Sequence, residues 1–112
     1  MKFVVQEHHA KNLHWDFRLE EDGVLRSWAV PKGLPTVVGE KCLAIEVEDH
    51  PMDWATFEGR IPEGQYGAGT VKIWDKGTYS GDTSDFTLKG KVLHGRYRMI
   101  PFKDNYLIMK VN

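Results

Sequence analysis

Four side chains close together in the sequence have the types and spacing of a metal site that acts on phosphate. His14, Asp16 and Arg18 alternate with apolar residues, and a β-strand directs every second side chain to the same face, roughly 7 Å apart. His8 lies six residues before His14, near the end of another strand candidate. If the two strands are neighbours, His8 meets His14 and Asp16.

The donor atoms of this set determine its chemistry. Two histidines and one carboxylate suit Mn²⁺, Fe²⁺, Co²⁺ or Zn²⁺ and leave coordination positions open for water and substrate. The planar guanidinium of Arg18 matches two phosphate oxygens, and a metal beside an arginine indicates phosphate-ester chemistry. His50 directly follows a strand, where catalytic side chains are frequent. Lys32 lies in a turn from which it could touch phosphate.

Other interpretations of the same residues remain open. A strand face of histidine, aspartate, arginine and glutamate is also typical of a sheet surface that is simply exposed to water and has no site. His14 and Asp16 with a distant His50 or His94 imitate the ligand triad of iron oxygenases, although 112 residues leave little room for an oxygenase barrel. Serine and cysteine hydrolases have little support, because no Gly-x-Ser-x-Gly motif occurs and Cys42 has no evident histidine partner.

β-Strands are predicted to position these residues. Residues 13–20 alternate without a fault between apolar and polar side chains, Asp22-Gly23 supplies a turn, and residues 24–30 form the returning arm of a hairpin. Further short strands are predicted at residues 42–48, 54–57, 71–74, 78–80, 86–88, 92–100 and 106–111. The sequence therefore predicts an all-β fold, a compact β-barrel of about eight to nine short strands with little helix.

The connections between these strands are rich in glycine and short polar residues. Residues 59–69 hold four glycines and Pro62, which predicts a long loop or a pair of tight turns. The part from 62 to 70 is not a nucleotide-binding loop, because it lacks the Gly-Lys-Ser/Thr ending and no helix follows. Residues 83–85 could nucleate one turn of helix. Closure of the barrel would remove the exposed edges that short strands otherwise present.

Composition places the chain among globular proteins. Of its 112 residues, 41% are hydrophobic and 28% are charged, which excludes a disordered or collagen-like chain. One domain covering residues 1–112 is expected. No apolar run long enough to cross a membrane and no signal-peptide core is present, and the single cysteine forms no intrachain disulfide. A cytoplasmic monomer without a membrane segment is therefore expected.

The charge of the chain is unevenly distributed. Its net charge of −1 argues against a polycationic nucleic-acid binder. Residues 86–112 nevertheless carry +5, so residues 1–85 carry −6. The basic residues of this third are Lys89, Lys91, Arg96, Arg98, Lys103 and Lys110. A group of basic residues like this can bind a phosphate backbone or form a strand face that is exposed to water.

Five motifs in a fixed order resemble a known family. They are Gln6-x-His8-x-Ala10, Leu13-His14-Trp15-Asp16-Phe17-Arg18-Leu19-Glu20, Ser27-Trp28-Ala29-Val30-Pro31-Lys32-Gly33, Val47-Glu48-Asp49-His50-Pro51 and Ile61-Pro62-Glu63-Gly64-x-Tyr66-Gly67. Over about residues 3–111, the chain is similar to the 3′-phosphoesterase domain of bacterial end-joining DNA ligase D and its stand-alone archaeal and bacterial relatives.

The resemblance implies a small β-barrel enzyme that uses Mn²⁺, with Co²⁺ or Zn²⁺ as alternatives, to heal 3′ ends of nucleic acid before ligation. The enzyme would remove a 3′-terminal ribonucleoside to leave a 3′-phosphate, and then convert that phosphate to a 3′-hydroxyl. Its substrate would be a primer-template end with a terminal ribonucleotide or 3′-phosphate. A separate DNA ligase or polymerase would act on the healed end.

The resemblance also implies a role for individual residues. His8, His14 and Asp16 would be the metal ligands, and Arg18 and His50 would contact the scissile phosphate and carry catalysis. Lys32 would help to bind the substrate, and Gln6, Glu48 and Trp54 would support the site.

Two positions depart from the family pattern. Trp15 replaces a usual tyrosine, but it lies on the opposite strand face from His14 and Asp16. Trp54 replaces a tyrosine whose hydroxyl reaches the phosphate in relatives, and an indole offers its one donor in another place, so the efficiency of one of the two steps is in question. The alternative function is a noncatalytic nucleic-acid-binding β-barrel, whose basic third contacts the backbone while Trp28, Tyr66 or Tyr97 stacks on bases.

Overall fold

Nine β-strands make up most of the chain. The structure is a computed structural model that describes residues 1–112. The strands are β1 Lys2–His9, β2 Leu13–Glu21, β3 Val24–Val30, β4 Lys41–Pro51, β5 Gly59–Ile61, β6 Gly69–Gly81, β7 Asp85–Gly90, β8 His94–Phe102 and β9 Asn105–Lys110. The only helix is a 3₁₀ helix, Met52–Thr56.

All nine strands form one antiparallel sheet that closes on itself. The strand order is β1-β2-β3-β4-β9-β8-β7-β6-β5, and β1 also pairs with β6. Eight strands therefore make a closed barrel, and β5 adds to the outer edge of β6 beyond the closure. The predicted all-β barrel with little helix is confirmed.

The apolar core occupies one face of the strands that carry the candidate site. Phe17 and Trp28 lie in a cluster of buried side chains with Phe86 and Tyr97, and the rings of Phe86 and Tyr97 stack with centroids 6.2 Å apart. Trp15 packs against this cluster, which confirms its predicted place opposite His14. Alternation along β1, β2 and β3 thus leaves the candidate site residues on the other, outer face of the barrel.

The strand predicted at residues 54–57 is wrong. Met52–Thr56 is a 3₁₀ helix that follows Pro51 at the end of β4 and packs across β1 and β3. The side-chain amide of Gln6 donates hydrogen bonds to the carbonyls of Trp54 and Phe57, at 2.7 Å and 3.1 Å. A buried glutamine from a distant strand therefore fixes this turn, and no local pattern could reveal that.

The two strands predicted at residues 71–74 and 78–80 are one continuous strand, β6. Asp75 and Gly77, which lie between the two predicted strands, do not interrupt it. Gly77 instead allows close approach of backbones, because a Cβ there would lie 2.0 Å from the carbonyl oxygen of Lys89. A bulge at this level shifts the register of β6 against β1, since Val5 faces Asp75 while Gln6 faces Ile73.

Two further local predictions need correction. The loop predicted for residues 59–69 begins with strand β5, which pairs with the start of β6. Residues 83–85 form no helical turn. The Asp82 carboxylate instead accepts the backbone N–H groups of Ser84 and Asp85 and so closes the β6–β7 connection.

Asp75 is expected to be a major determinant of stability. This buried carboxylate accepts the backbone N–H groups of Lys91, Val92 and Leu93 at distances of 2.7 to 3.1 Å. Asp75→Asn replaces one acceptor oxygen with an NH₂ group that faces an N–H, so we expect the free energy of unfolding to fall by about 2 to 3 kcal/mol. Urea unfolding measures this. Asp104→Asn, in an exposed turn, is the control, and equal losses for both variants would contradict the account.

Candidate functional site

The candidate site lies in an open cleft on the outer face of β1, β2 and β3. The cleft has a volume of about 1210 Å³ and is lined by His8, His14, Asp16, Arg18, Glu48 and His50 among others. The 3₁₀ helix after β4 covers the end of this face. Asp16 and Arg18 are consequently only 7% and 4% exposed, which excludes a plainly solvated strand face.

The register between β1 and β2 brings three potential ligands together. His8 and His14 are direct partners across the two strands, and Asp16 follows two residues later on the same face. The Asp16 carboxylate lies between the two rings, with Oδ2 3.3 Å from His8 Nδ1 and Oδ1 3.2 Å from His14 Nε2. One ligand atom from each residue falls within 4.8 Å of the others. His50 and His94 are not part of this cluster.

Backbone carbonyls fix which nitrogen of each histidine faces Asp16. His8 Nε2 is 2.7 Å from the carbonyl oxygen of Gly67, and His14 Nδ1 is 3.0 Å from that of Asn12. A carbonyl oxygen only accepts, so each of these nitrogens carries the proton. In the neutral rings, His8 Nδ1 and His14 Nε2 therefore present lone pairs toward a carboxylate.

This arrangement fits a divalent transition metal. When both rings are neutral, two lone pairs and a carboxylate converge with no proton between them, and a cation bound there would stabilise them. Metal-bound histidines usually donate their other N–H to a backbone carbonyl or carboxylate. The two nitrogens and one oxygen are the donor set that suits Mn²⁺, Fe²⁺, Co²⁺ or Zn²⁺. The residues present thus fit the metal that the sequence predicts.

Electrostatics in the cluster favour a charged carboxylate. When His14 is protonated, its Nε2–H donates to Asp16, and this hydrogen bond raises the pKa of His14, although burial opposes it. Burial alone would raise the pKa of Asp16, but the hydrogen bond with His14 and the positive charge of Arg18 outweigh it and lower this pKa. Asp16 is therefore ionised under ordinary conditions and available to a cation.

Arg18 is held by hydrogen bonds on its inner side. Its Nε donates to Gln6 Oε1 at 2.7 Å, and its Nη1 donates to Ser27 Oγ at 2.8 Å and approaches His50 Nδ1 at 3.1 Å. Its Nη2 lies 3.6 Å from Asp16 Oδ2. Burial lowers the pKa of Arg18 and Asp16 raises it, yet a guanidinium stays protonated. The N–H groups on Nη2 therefore remain for a ligand in the cleft.

Gln6 and Ser27 fix the position of Arg18 by accepting its hydrogen bonds. Gln6 is fully buried and joins Arg18 to the carbonyls of Trp54, in the 3₁₀ helix, and of Phe57, directly after it. Ser27 was not singled out from the sequence as a site residue. A signal was available, because the two-residue turn at Asp22-Gly23 fixes the hairpin register and places Ser27 directly opposite Arg18.

His50 lies at the end of β4, beside Arg18 and Trp54. Burial and the positive charge of Arg18 lower the pKa of His50. The Glu48 carbonyl is 3.0 Å from His50 Nδ1, but the charged Arg18 donor makes the stronger bond to this nitrogen. The neutral ring then carries its proton on Nε2. The Trp54 indole meets His50 edge-to-face at 5.4 Å and lies 5.7 Å from the Arg18 guanidinium carbon.

The remaining predicted residues occupy different positions. Glu48 lines the cleft. Lys32 is exposed in the turn after β3 and is not among the lining residues, so its substrate contact stays a prediction. None of the six basic residues of 86–112 lines the cleft. Lys110 in particular is buried, and Arg96 is engaged with Asp85.

Comparison with known proteins places the chain in a family. The family model of the DNA ligase D 3′-phosphoesterase domain matches residues 6–101. The chain belongs to this family. The match includes every residue of the cluster, together with Arg18, His50 and the glycine-rich loop.

Relatives of the chain in this family are much longer proteins. The chain is 55% identical over 109 residues to the multifunctional non-homologous end joining protein LigD of Mycobacterium bovis, with 88% of this chain and 14% of that protein covered. For the LigD proteins of Mycolicibacterium smegmatis and Pseudomonas aeruginosa, identity is 47% over 120 residues and 49% over 111 residues. These matches cover 91% and 89% of this chain and 16% and 13% of the relatives.

The structure contains no helix that is long and apolar enough to cross a membrane.

Proposed function

We propose that this chain is an Mn²⁺-dependent 3′-phosphoesterase that heals nucleic-acid ends during DNA end joining. As a phosphodiesterase it removes a 3′-terminal ribonucleoside to leave a 3′-phosphate, and as a phosphomonoesterase it converts that phosphate to a 3′-hydroxyl for a separate ligase or polymerase. One observation carries the proposal: in a chain of this family, His8, His14 and Asp16 converge beside Arg18 in an open cleft.

The cluster supplies the metal site of the proposed reaction. His8 Nδ1, His14 Nε2 and a carboxylate oxygen of Asp16 would hold Mn²⁺, with Co²⁺ or Zn²⁺ as alternatives. The bound metal supplies Lewis acidity toward a phosphoryl oxygen and lowers the pKa of a coordinated water. Gly67 and Asn12 keep the two rings oriented through their carbonyls.

Arg18 binds the phosphate in this proposal. Its inner N–H groups are used by Gln6, Ser27 and His50, so its position is fixed before the substrate arrives. The N–H groups on Nη2 donate to non-bridging phosphate oxygens and stabilise the negative charge that develops there. A fixed charged donor needs no reorganisation during the reaction, which is the condition for strong electrostatic catalysis.

His50 donates a hydrogen bond in this proposal. With Nδ1 engaged by Arg18, the N–H group on Nε2 can donate to a non-bridging phosphate oxygen or to the leaving oxygen. The lowered pKa of His50 keeps the ring neutral at ordinary pH. The ring therefore acts as a hydrogen-bond donor there, without adding a second positive charge beside Arg18.

A primer assay tests the proposed function. A 5′-labelled DNA primer ending in ribonucleotides is annealed to a template and incubated with Mn²⁺, and products are resolved by length and by 3′ end group. We expect shortening to a 3′-phosphate and then a 3′-hydroxyl, and loss of both steps with EDTA or with His14→Ala. Accumulation of the 3′-phosphate would identify Trp54 as the limit on the second step, which Trp54→Tyr should then relieve.

The same assay separates this proposal from the noncatalytic alternative. Binding of the primer that survives EDTA, with no change in its length or end group under any divalent metal, would favour a binding module. Oxygen consumption with Fe²⁺ and a keto acid would favour the oxygenase interpretation.

The metal affinity of the site is expected to depend on pH. The ligand histidines must be neutral to bind a metal, and Asp16 raises the pKa of His14, so its protonated form persists to higher pH than in a free imidazole. Mn²⁺ affinity should therefore weaken as pH falls through this raised pKa, by about tenfold per pH unit for each proton displaced. Titration followed by Mn²⁺ electron paramagnetic resonance measures this. Equal affinities from about pH 5 to about pH 8 would contradict it.

A further inference from the structure

Tyr66 is the most exposed large side chain near the cluster. It is 96% exposed although it carries an aromatic ring, and it lines the cleft. The other two aromatic residues that the sequence offered for base stacking, Trp28 and Tyr97, are 1% and 0% exposed and belong to the core. Of these three rings, only that of Tyr66 is therefore available to contact a ligand in the cleft.

The loop that carries Tyr66 is tied to the cluster. The carbonyl of the next residue, Gly67, accepts the hydrogen bond from His8 Nε2. Two backbone hydrogen bonds, from Gln65 to Pro62 and from Ala68 to Gln65, fold the loop into consecutive turns. The backbone of Tyr66 is thus placed next to a residue that contacts a candidate metal ligand.

The two ends of the cleft differ in charge. Beyond Tyr66 a second groove of about 610 Å³ continues from the cleft, and the two share Ala10, Lys11 and Gly67. This groove carries the cations Lys11 and Arg60 and one carboxylate, that of Glu63. The opposite side of the cleft carries the carboxylates of Glu48 and Asp49. A polyanionic strand is attracted to the first end and repelled by the second.

We infer that Tyr66 is a stacking platform for the base of the nucleotide whose 3′ oxygen carries the scissile phosphate, and that the strand 5′ to it leaves along the groove of Lys11 and Arg60. The inference rests on the proposed function and names how that site holds its substrate. Aromatic stacking beside a basic groove is the usual way in which proteins bind single-stranded ends without sequence preference. The same nucleotide is present in both proposed substrates, so one platform serves both steps.

Binding of the reaction product tests this inference without turnover. Fluorescence anisotropy with Mn²⁺ follows a 5′-labelled primer-template whose 3′-terminal nucleotide is unpaired and ends in a 3′-hydroxyl. This terminal nucleotide is either normal or abasic. We expect Tyr66→Ala to weaken binding of the normal primer by about 5- to 100-fold. Tyr66→Phe should bind like the wild type, because it keeps the ring. Phe102→Ala, at an exposed ring on β8, is the matched control and should have no effect.

The abasic primer distinguishes stacking from a structural role. Wild type should bind it as weakly as Tyr66→Ala binds the normal primer, and Tyr66→Ala should lose nothing more on it. Lys11→Gln should lower the slope of log affinity against log salt by about one, and Lys103→Gln should not. The inference would be overturned if wild type and Tyr66→Ala bound the normal primer equally. It would also be overturned if Tyr66→Ala bound the abasic primer more weakly than wild type does, by the same factor as on the normal primer.

Failure of this inference and failure of the proposed function give different results. If wild type heals the ribonucleotide primer and Tyr66→Ala binds like wild type, the platform is wrong and the function stands. If wild type heals no end and Tyr66→Ala still weakens binding, the function is wrong and the platform stands. If wild type neither heals nor binds the primer, both are wrong.

Discussion

Replacing Asp16 with asparagine is expected to abolish Mn²⁺ binding at the cluster and to lower kcat/KM for phosphoester hydrolysis by about 10³-fold or more. The carboxylate lies between His8 Nδ1 and His14 Nε2 and supplies the only negative charge of the cluster. Asparagine keeps the shape but removes this charge. Its NH₂ group would also donate to one of the two lone pairs and occupy a nitrogen that the metal requires.

Isothermal titration with Mn²⁺ and the primer assay together measure the effect of Asp16→Asn. Asp104→Asn, in the exposed turn after β8, is the control and should match the wild type in both. An Asp16→Asn protein that binds Mn²⁺ with wild-type affinity would show that the cluster is not the metal site.

Replacing Arg18 with lysine is expected to reduce kcat/KM by about 10²- to 10³-fold while leaving Mn²⁺ affinity within about twofold. Lysine keeps the charge, but one ammonium group cannot donate to Gln6 Oε1, Ser27 Oγ and His50 Nδ1 and still reach a phosphate. The buried acceptors that lose a partner should also lower the free energy of unfolding by about 1 to 3 kcal/mol.

Three measurements on Arg18→Lys separate these effects: steady-state kinetics, Mn²⁺ titration and urea unfolding. Arg98→Lys, on an exposed part of β8, is the matched control. A variant with near wild-type kcat/KM would mean that charge alone, and not the fixed fork of donors, is what the site requires. A large loss of Mn²⁺ affinity would instead place Arg18 in the organisation of the metal site.

Much of the site could be predicted from local sequence pattern. Alternation along β2 places His14, Asp16 and Arg18 on one face whatever the rest of the fold does. The short connection between β1 and β2 leaves few ways to pair the strands, and the observed pairing sets His8 opposite His14. Because the side-chain period is two, a shift by one residue would have turned His8 to the other face.

The burial of the site could not be predicted in the same way. Arg18 is buried because the 3₁₀ helix folds across β1 and β3, whereas the sequence pattern predicts a strand at residues 54–57. The position of the helix depends on Gln6, which lies about fifty residues earlier in the chain and donates to the carbonyls of Trp54 and Phe57. The role of Asp75 could not be predicted for the same reason. Its hydrogen-bond partners at residues 91–93 become its neighbours only when the barrel forms.

Anomalous diffraction from crystals soaked in Mn²⁺ tests most directly whether His8, His14 and Asp16 hold the metal. We expect one strong peak at the manganese edge, within bonding distance of His8 Nδ1, His14 Nε2 and a carboxylate oxygen of Asp16, and close to Arg18 Nη2. A peak bonded to His50 in place of His8, or no peak among these three residues, would contradict it.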